Sequence, residues 1–193
     1  MDTIGEIVLV DFSSITCEAK VYDNIPTPGR FIKFFIDDIC VLAISTKYSI
    51  SSIEKDGPAK ALWKDKEEVK KLYPQMDMML KGYFNAIVIG YIQDNSFKYG
   101  LPPKSISIHT LVYEAEDKEV LLATQSSIFL HTILKEKDID IFEVIPNALY
   151  LAYLVRNKDE NYLVEIGKEL NMYLKYDLNI LTPIIERLES LIY

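Results

Sequence analysis

The part of the chain before residue 116 carries short runs in which apolar and polar positions alternate. In residues 14–22 the odd-numbered positions from Ile15 to Val21 are apolar, whereas the even-numbered positions between them are polar. A period of two is typical of a half-buried β-strand. Runs of this kind, together with continuous β-branched and aromatic runs, predict six strands, at residues 4–10, 14–22, 30–36, 39–48, 84–92 and 105–113.

The run at residues 84–92 is the most apolar of the six. Ala86, Ile87, Val88 and Ile89 follow one another without a polar position. A continuous run of this kind predicts a strand that is buried on both faces.

After residue 117 the apolar period changes from two to three and four, which is typical of amphipathic helices. Two clear stripes cover residues 162–174 and 181–191, and Pro146 fits the first turn of a further helix that ends near Leu154. Six strands followed by about four helices indicate an α+β fold with the two kinds of element in separate blocks. Suitable helix starts are Asp159, and either Asp177 or Thr182-Pro183.

A long polar segment follows the fourth predicted strand, and we expect a helical insertion at about residues 63–81. Acidic residues begin a first short helix and Lys70-Lys71 end it, an order that suits the helix dipole. Pro74 stops this helix, and a second short helix is predicted at 75–81. Trp63 is the only tryptophan of the chain. It is either a lid packed on the strands or an exposed anchor, and the packed lid is the favoured interpretation.

The net charge of −8 is spread evenly along the chain. Residues 1–124 hold 14 Lys+Arg against 18 Asp+Glu, and the remainder holds 7 against 11. Binding to nucleic acid depends on basic side chains that neutralise phosphates. The chain therefore has no basic half to form a nucleic-acid footprint, and only a local patch could bind DNA.

Features of secreted or membrane proteins are missing from the sequence. Cys17 and Cys40 are far apart and form no C-x-x-C pair, which favours buried reduced thiols over a disulfide or a zinc site. Asp2 and Glu6 stand where a signal peptide needs basic residues. No apolar stretch approaches the roughly 18–20 residues of a membrane span. We therefore expect a cytoplasmic protein that makes no membrane contact.

The sequence also lacks the common phosphate-binding and nucleophile motifs. Neither G-x-G-x-x-G nor G-x-S-x-G occurs. The pair Gly167-Lys168 is followed by Glu169, where a phosphate-binding loop needs Ser or Thr, and Tyr162 stands where that loop needs glycine. We expect no nucleotide hydrolysis and no bound cofactor.

The remaining candidates for chemistry are isolated residues. His109 is expected on a strand face and His131 on a helix, without the spacing of a metal site. Cys17 and His109 would form a nucleophile and its base only if the fold brought them together. Asp37-Asp38 is better explained as a solvated turn than as a metal site. We therefore predict no catalytic residues, no metal site and no enzyme activity.

A series of short motifs follows in a fixed order along most of the chain. They are Ile4-Gly5-Glu6-Ile7-Val8, Cys17-Glu18-Ala19-Lys20-Val21-Tyr22 before Pro28-Gly29, Tyr73-Pro74-Gln75-Met76, Phe84-Asn85-Ala86-Ile87-Val88-Ile89-Gly90, Leu101-Pro102-Pro103 before Ile108-His109, Val112-Tyr113, and Gly167-Lys168-Glu169-Leu170. In this order and spacing, the chain resembles stand-alone members of the HAS-barrel (HerA–ATP synthase barrel) family that carry a C-terminal helical tail.

The resemblance implies a fold and a role. It implies a closed six-stranded β-barrel over residues 1–116, with the helical insertion, followed by a C-terminal helical region over residues 117–193. Barrels of this family lie at the N-terminal face of ring-shaped ATPases, where they help subunits to assemble and present a docking surface. The expected function is a non-catalytic accessory module in DNA processing, whose partner is a separately encoded HerA/FtsK-type ATPase. Contact with nucleic acid is then expected only indirectly, through this partner. Assembly of the chain with further copies of itself stays open.

The expected partner-binding residues lie in loops, because loops on a rigid scaffold are where recognition usually occurs. Three segments offer aromatic or apolar anchors among polar residues, at 24–29, 63–79 and 99–104. An alternative function is single-stranded nucleic-acid binding by an OB-like barrel, in which tyrosines would stack bases, namely Tyr83, Tyr91, Tyr99 and Tyr113. The candidate partner-binding residues are Pro28, Gly29, Trp63, Tyr73, Tyr99, Pro102 and Pro103.

Overall fold

A computed structural model of the chain describes residues 2–52, 61–75 and 79–193. Strands form the first block and most helices the second, which confirms the predicted α+β class. The strands are β1 (Thr3–Asp11), β2 (Ser14–Ala19), β3 (Phe31–Ile36), β4 (Ile39–Ser52), β5 (Leu80–Gln93), β6 (Ser96–Tyr99) and β7 (Leu111–Glu114). The helices are α1 (Lys66–Leu72), α2 (Asp117–Ala123), α3 (Ile128–Lys135), α4 (Ile141–Val155), α5 (Glu160–Tyr173) and α6 (Leu178–Ile192).

Six strands close into an antiparallel barrel in the order β1-β2-β5-β4-β3-β7, with β7 paired back onto β1. Two long-range pairings complete the ring. Cys17 on β2 lies opposite Phe84 on β5, and Gly5 on β1 lies opposite Val112 on β7. β6 forms a hairpin with β5 and lies outside the ring. The closed six-stranded barrel that the sequence predicted is confirmed.

Alternate side chains of the six strands point into the barrel and fill it. A barrel of this size has an interior only wide enough for its own side chains. The interior is therefore a hydrophobic core. It consists of Ile7, Ile15, Cys17, Ile32, Phe34, Ile39, Val41, Ala43, Phe84, Ala86, Val88 and Val112, all of them buried.

The outer face of β3, β4 and β5 carries a second core, which helices α2 to α6 cover. As predicted, β5 is therefore buried on both faces, with Ala86 and Val88 inside the barrel and Ile87 and Ile89 under the helices. The predicted boundary at residue 116 falls between β7 and α2, while the second core contains side chains from both sides of it. Its barrel members are Phe31, Leu42, Ile44, Ile87 and Ile89, and its helix members include Val120, Phe129, Leu130, Ile133, Ile145, Leu149, Ile166 and Ile184.

A buried ion network joins the barrel to α2. The side chain of Lys33 on β3 is fully buried, and its Nζ donates to Glu119 Oε1 at 2.8 Å and to Glu116 Oε1 at 2.9 Å. The backbone N–H of Glu116 donates to Glu119 Oε2 at 2.7 Å, which completes a capping box at the start of α2. Burial lowers the pKa of Lys33, but the hydrogen bonds to the two carboxylates outweigh it and the pKa is raised. Lys33 therefore stays charged and fixes α2 on the barrel.

The strand bounds differ from the prediction where tertiary pairing extends or shortens a run. β4 and β5 continue as a long ribbon as far as the pair Ser52–Leu80. The strand predicted at 105–113 is wrong over most of its length, since only β7 forms a ladder. The chain instead turns at His109, which has a positive φ of 65°. His109 is therefore in a turn and not on a strand face.

The insertion agrees with the prediction in its first half. α1 forms where a short helix was expected. The second helix, predicted at 75–81, is wrong at Leu80 and Lys81, which belong to β5. Residues 76–78 of that prediction lie outside the described residues.

Aspartate side chains set the starts of the last three helices. α4 begins at Ile141, five residues before Pro146, because the carboxylate of Asp140 accepts a hydrogen bond from Phe142 N. The expected start at Pro146 is therefore wrong. The predicted caps Asp159 and Asp177 do begin α5 and α6, so Thr182-Pro183 lies inside α6.

Candidate protein-interaction surface

The insertion contains a short helix, α1, which caps its own start. The Asp65 carboxylate accepts from Glu68 N at 2.8 Å, which satisfies one of the free amides at the start of α1. None of the residues of α1 is buried. The helix therefore places no fully buried side chain in the core, and an interaction at its surface links it to the barrel.

Asp23, in the loop between β2 and β3, supplies that interaction. Its carboxylate forms ion pairs with Lys66 and, at 3.6 Å, with Lys70. The hydrogen bond from Lys66 is the main reason that the pKa of Asp23 lies below its ordinary value. α1 thus lies at the end of the barrel where β2 ends and β3 begins. We call the exposed apolar residues carried by this segment, Trp63, Leu72 and Tyr73, the insertion surface.

Trp63 is the most exposed large side chain of the insertion surface. It is 94% exposed and has a positive φ of 53°. The favoured interpretation of Trp63 as a packed lid is therefore wrong, and the exposed alternative describes it. Tyr73, which ends α1, is 37% exposed, and Leu72 beside it is 52% exposed. The indole of Trp63 is exposed to solvent in a segment that also carries lysine and glutamate side chains.

Gly29 contacts the chain's own helix α4 instead of solvent. Gly29 is buried with φ +88°, and a Cβ placed on it would lie 2.4 Å from Asn147 Cβ and 2.8 Å from Ala148 N on α4. Its N–H donates to the Ser45 carbonyl at 2.8 Å. Only glycine fits this close approach at this backbone angle. Gly29 thereby packs the loop against α4, and Pro28 beside it is half-buried.

Tyr99 is likewise engaged within the fold. Its hydroxyl donates to the Ala123 carbonyl at 3.2 Å and accepts from Ser126 N at 3.2 Å. Its ring packs edge to face on Phe97, with centroids 4.9 Å apart. Burial raises the pKa of Tyr99. The residue ties β6 to the end of α2.

Pro102 and Pro103 lie at the other end of the barrel from the insertion. Lys104, next in the chain, forms an ion pair with Asp37 in the turn between β3 and β4. Because β3 runs from the α1 end of the barrel to this turn, the two prolines are separated from Trp63 by the length of the strand. The structure therefore does not bring the predicted partner-binding residues together on one surface. Trp63 and Tyr73 share the insertion, and Pro102 and Pro103 form a separate loop.

One exposed apolar segment has no counterpart in the sequence analysis. A β-bulge between Ile7 and Leu9 leaves Val8 and Leu9 facing outward in succession. Phe12, at the tip of the β1–β2 hairpin, is 81% exposed with φ +51°. The sequence feature that could have indicated this exposed residue is an aromatic side chain at a predicted turn, between Asp11 and two serines.

The isolated residues that could have carried chemistry remain apart. Cys17 lies in the barrel core, and burial raises the pKa of its thiol to about 12, so the thiolate that a nucleophile needs is not formed. His109 is exposed, and its Nδ1 lies 2.6 Å from Glu6 Oε1. Two open grooves, of about 380 and 470 Å³, lie on the outer surface of the barrel. Neither contains Cys17.

Within residues 2–52, 61–75 and 79–193, the structure holds no cluster of three or more His, Cys, Asp or Glu side chains suited to a metal ion. The helices of the same residues are all too short or too polar to cross a membrane.

No protein-family model matches the chain, and no curated protein does so either.

Proposed function

We propose that this chain is a non-catalytic accessory module of the cytoplasm that docks a protein partner through the insertion surface. The partner is a ring-shaped ATPase of the HerA/FtsK type, and the process is DNA processing. The observation that carries the docking proposal is Trp63, a fully solvated indole held at the end of a closed barrel.

The barrel interior is filled by side chains, which supports the proposal that the protein binds its partner through its outer surface. Side chains such as Phe34, Phe84 and Val88 occupy the space that a small ligand would need. A closed barrel also offers a rigid support, because its strands are paired around the ring. On such a scaffold, the segments that project from it usually make the binding contacts.

The insertion surface has the composition of an interaction hot spot. Tryptophan and tyrosine, with arginine, are enriched among the residues that dominate binding energy, and they act when surrounding contacts exclude water from them. Trp63 is followed by Lys64, whose Nζ pairs with Glu68 of α1. A partner that covers Trp63 would bury a large apolar area inside a rim of existing ion pairs.

The identity of the partner rests on the resemblance to HAS-barrel proteins. Such barrels stand beside an ATPase motor, and this sequence has the barrel motifs without the phosphate-binding loop of a motor. In this proposal a separate chain supplies ATP hydrolysis. The exposed insertion is the segment that we expect to contact it.

Replacing Trp63 by alanine should weaken partner binding without loss of stability. We expect a Kd for a purified HerA/FtsK-type ATPase from the same cell that is about 30-fold higher, equivalent to about 2 kcal/mol for a hot-spot residue. The thermal midpoint should change by no more than about 1 °C, since an exposed side chain makes few native contacts. Biolayer interferometry and differential scanning fluorimetry measure the two quantities.

Phe12→Ala is the matched control for Trp63→Ala. Phe12 is also an exposed aromatic residue with positive φ, but it lies at the opposite end of the barrel. This variant should bind the ATPase as the wild type does. Equal binding by the Trp63 variant would reject the insertion surface, and absence of binding by the wild type would reject the ATPase as partner.

The alternative function, single-stranded nucleic-acid binding, has weaker support. Two of the tyrosines proposed to stack bases are engaged with neighbours: Tyr99 bonds to Ala123, and Tyr113 packs edge to face on Phe35 with centroids 6.2 Å apart. Tyr91 has one nearby cation, Lys98, at 6.0 Å from its ring. The net charge of −8 opposes approach to phosphates.

A fluorescent single-stranded oligonucleotide should not bind at physiological salt with a Kd below about 10 µM, because charge contacts dominate such binding. Fluorescence anisotropy at several salt concentrations measures this. Micromolar or tighter affinity, with a logarithm that falls linearly as the logarithm of salt concentration rises, would support the alternative function and count against the accessory role.

A further inference from the structure

The second half of β4 extends past the first residue of β3 and has a strand neighbour on one side. β3 pairs with β4 only as far as Ile44, and the loop before β3 continues this contact to Ser45. From Lys47 onward, β4 pairs with β5 alone. Within the residues that the structure describes, the other edge of residues 47–51 has no strand partner. We call residues 47–51 the β4 edge.

The β4 edge presents backbone groups that are ready to pair. In an antiparallel strand, alternate residues direct their N–H and C=O groups away from the neighbouring strand. An unpaired row of such groups is a template for another strand. Natural proteins usually protect such an edge with charges or proline, whereas this one carries a single charged residue, Lys47, and no proline.

The side chains of the β4 edge alternate in a pattern that is complementary to itself. Tyr48 and Ile50 share one face and are 52% and 48% exposed. Lys47, Ser49 and Ser51 share the other face and are exposed as well. If two copies pair antiparallel with Ser49 opposite Ser49, each Tyr48 lies opposite an Ile50, and each Lys47 lies opposite a Ser51.

We propose that two copies of this chain associate through the β4 edge in this register, so that one antiparallel sheet runs through both barrels. Aromatic–aliphatic pairs directly opposite one another stabilise antiparallel sheets, and like charges opposite one another destabilise them. The register supplies two aromatic–aliphatic pairs and avoids the Lys47–Lys47 contact. A two-fold axis at Ser49 closes the assembly at two copies.

The net charge of each copy adds a distinctive salt dependence. Two chains of charge −8 repel each other, and salt screens this repulsion. The dimer should therefore tighten as salt increases, which is opposite to the behaviour of complexes held by ion pairs or phosphate contacts. Sedimentation velocity of the full chain at 0.05, 0.15 and 0.5 M NaCl, at protein concentrations from about 1 to 300 µM, measures this dependence.

Charge substitutions test the register. Ser51→Lys places a second lysine opposite each Lys47, and we expect the dimer Kd to rise at least about 10-fold. Adding Lys47→Glu to Ser51→Lys makes each opposite pair attractive and should restore the wild-type Kd. Val164→Lys, at an exposed position on α5, is the matched control and should leave association unchanged. Circular dichroism establishes that the variants fold.

A disulfide gives a second readout that does not depend on affinity. Side chains directly opposite each other in an antiparallel pair lie within disulfide distance, so Ser49→Cys should form a linked dimer under mild oxidation. Ser51→Cys should not, because its partner in this register is Lys47. Wild type is the control, since Cys17 is buried and Cys40 half-buried.

Three outcomes would overturn this proposal. They are a monomer at about 300 µM in 0.5 M salt, a dimer whose Kd is unaffected by Ser51→Lys, or equal crosslinking of the Ser49 and Ser51 cysteine variants. A dimer that forms only through another surface would fail the second and third tests. Trp63 is not part of the β4 edge. A result that rejects the dimer therefore does not bear on the proposed binding of the ATPase, which the Trp63→Ala experiment tests separately.

Discussion

A chain that ends at Glu116 will aggregate or remain unfolded. Removing α2 to α6 would uncover the outer face of β3, β4 and β5, where Phe31, Leu42, Ile44, Ile87 and Ile89 lie buried in the second core. Burying each such side chain stabilises a protein by about 1.5–3 kcal/mol, so the loss is on the order of 10 kcal/mol. This equals or exceeds the total stability of most domains.

Solubility, size-exclusion chromatography and urea unfolding measure this result. A chain that ends at Tyr176 is the control, because it removes only α6, whose buried side chains are Ile184 and Leu188. We expect this control to remain folded with a lower urea midpoint. A monomeric chain ending at Glu116 that unfolds cooperatively near the wild-type midpoint would show that the barrel does not need its helical cover.

Lys33→Met should destabilise the fold by about 3–5 kcal/mol, because it leaves the buried Glu119 carboxylate without its cation. For a chain of this length, such a loss corresponds to a fall in thermal midpoint of about 10 °C. Replacing one partner of a buried ion pair costs more than replacing both by apolar residues. The double variant Lys33→Met with Glu119→Leu should therefore be more stable than Lys33→Met alone.

Urea unfolding of the wild type, both single variants and the double variant gives the coupling free energy of the pair. Lys118→Met is the control, since Lys118 pairs with Glu116 at the surface and exposed pairs contribute little. If Lys33→Met changed stability no more than Lys118→Met did, the network would have no role in holding α2 to the barrel.

The same network predicts a loss of stability in acid. The hydrogen bond from Lys33, with a further one from Lys118, lowers the pKa of Glu116 to about 2 from an ordinary value of 4.5. A carboxylate with a lowered folded-state pKa stabilises the fold above its unfolded pKa, and this contribution is lost as the pH falls toward the folded pKa. Between pH 4.5 and about 2, the wild type should therefore lose more stability than Glu116→Gln, as measured by urea unfolding at each pH.

Local pattern was sufficient to predict most elements of the barrel. Strand positions from β1 to β5 follow from alternation and from β-branched runs, and the burial of β5 on both faces follows from four successive apolar residues. These signals are reliable because, in a regular strand without a bulge, a side chain's face depends on whether its position is odd or even. The helix starts at Asp159 and Asp177 could be predicted for a similar reason. The side chain of a capping residue accepts a hydrogen bond from a backbone N–H within the next three residues.

The positions of loops could not be predicted in the same way. Gly29 and Tyr99 lie in loop segments whose composition is typical of an interface. Both residues instead contact helices that come later in the same chain: Gly29 contacts α4, and Tyr99 bonds to the end of α2. The prediction for Trp63 was wrong in the opposite sense. It assumed that the side chain packs on the barrel, as tryptophan usually does, whereas this side chain is exposed to solvent. Whether an apolar loop residue faces its own chain or solvent depends on which element lies beside it.

The sequence by itself determined the α+β order, the faces of the strands and the absence of common catalytic motifs, because each depends on residues close together in the chain. The tertiary structure alone decided the order in which the strands pair around the barrel, the burial of Lys33 between β3 and α2, and the separation of Trp63 from Pro102. The exposed β4 edge belongs to the same group. A strand edge is free or covered according to where the neighbouring strands end, and the chain's own alternation is identical in both cases.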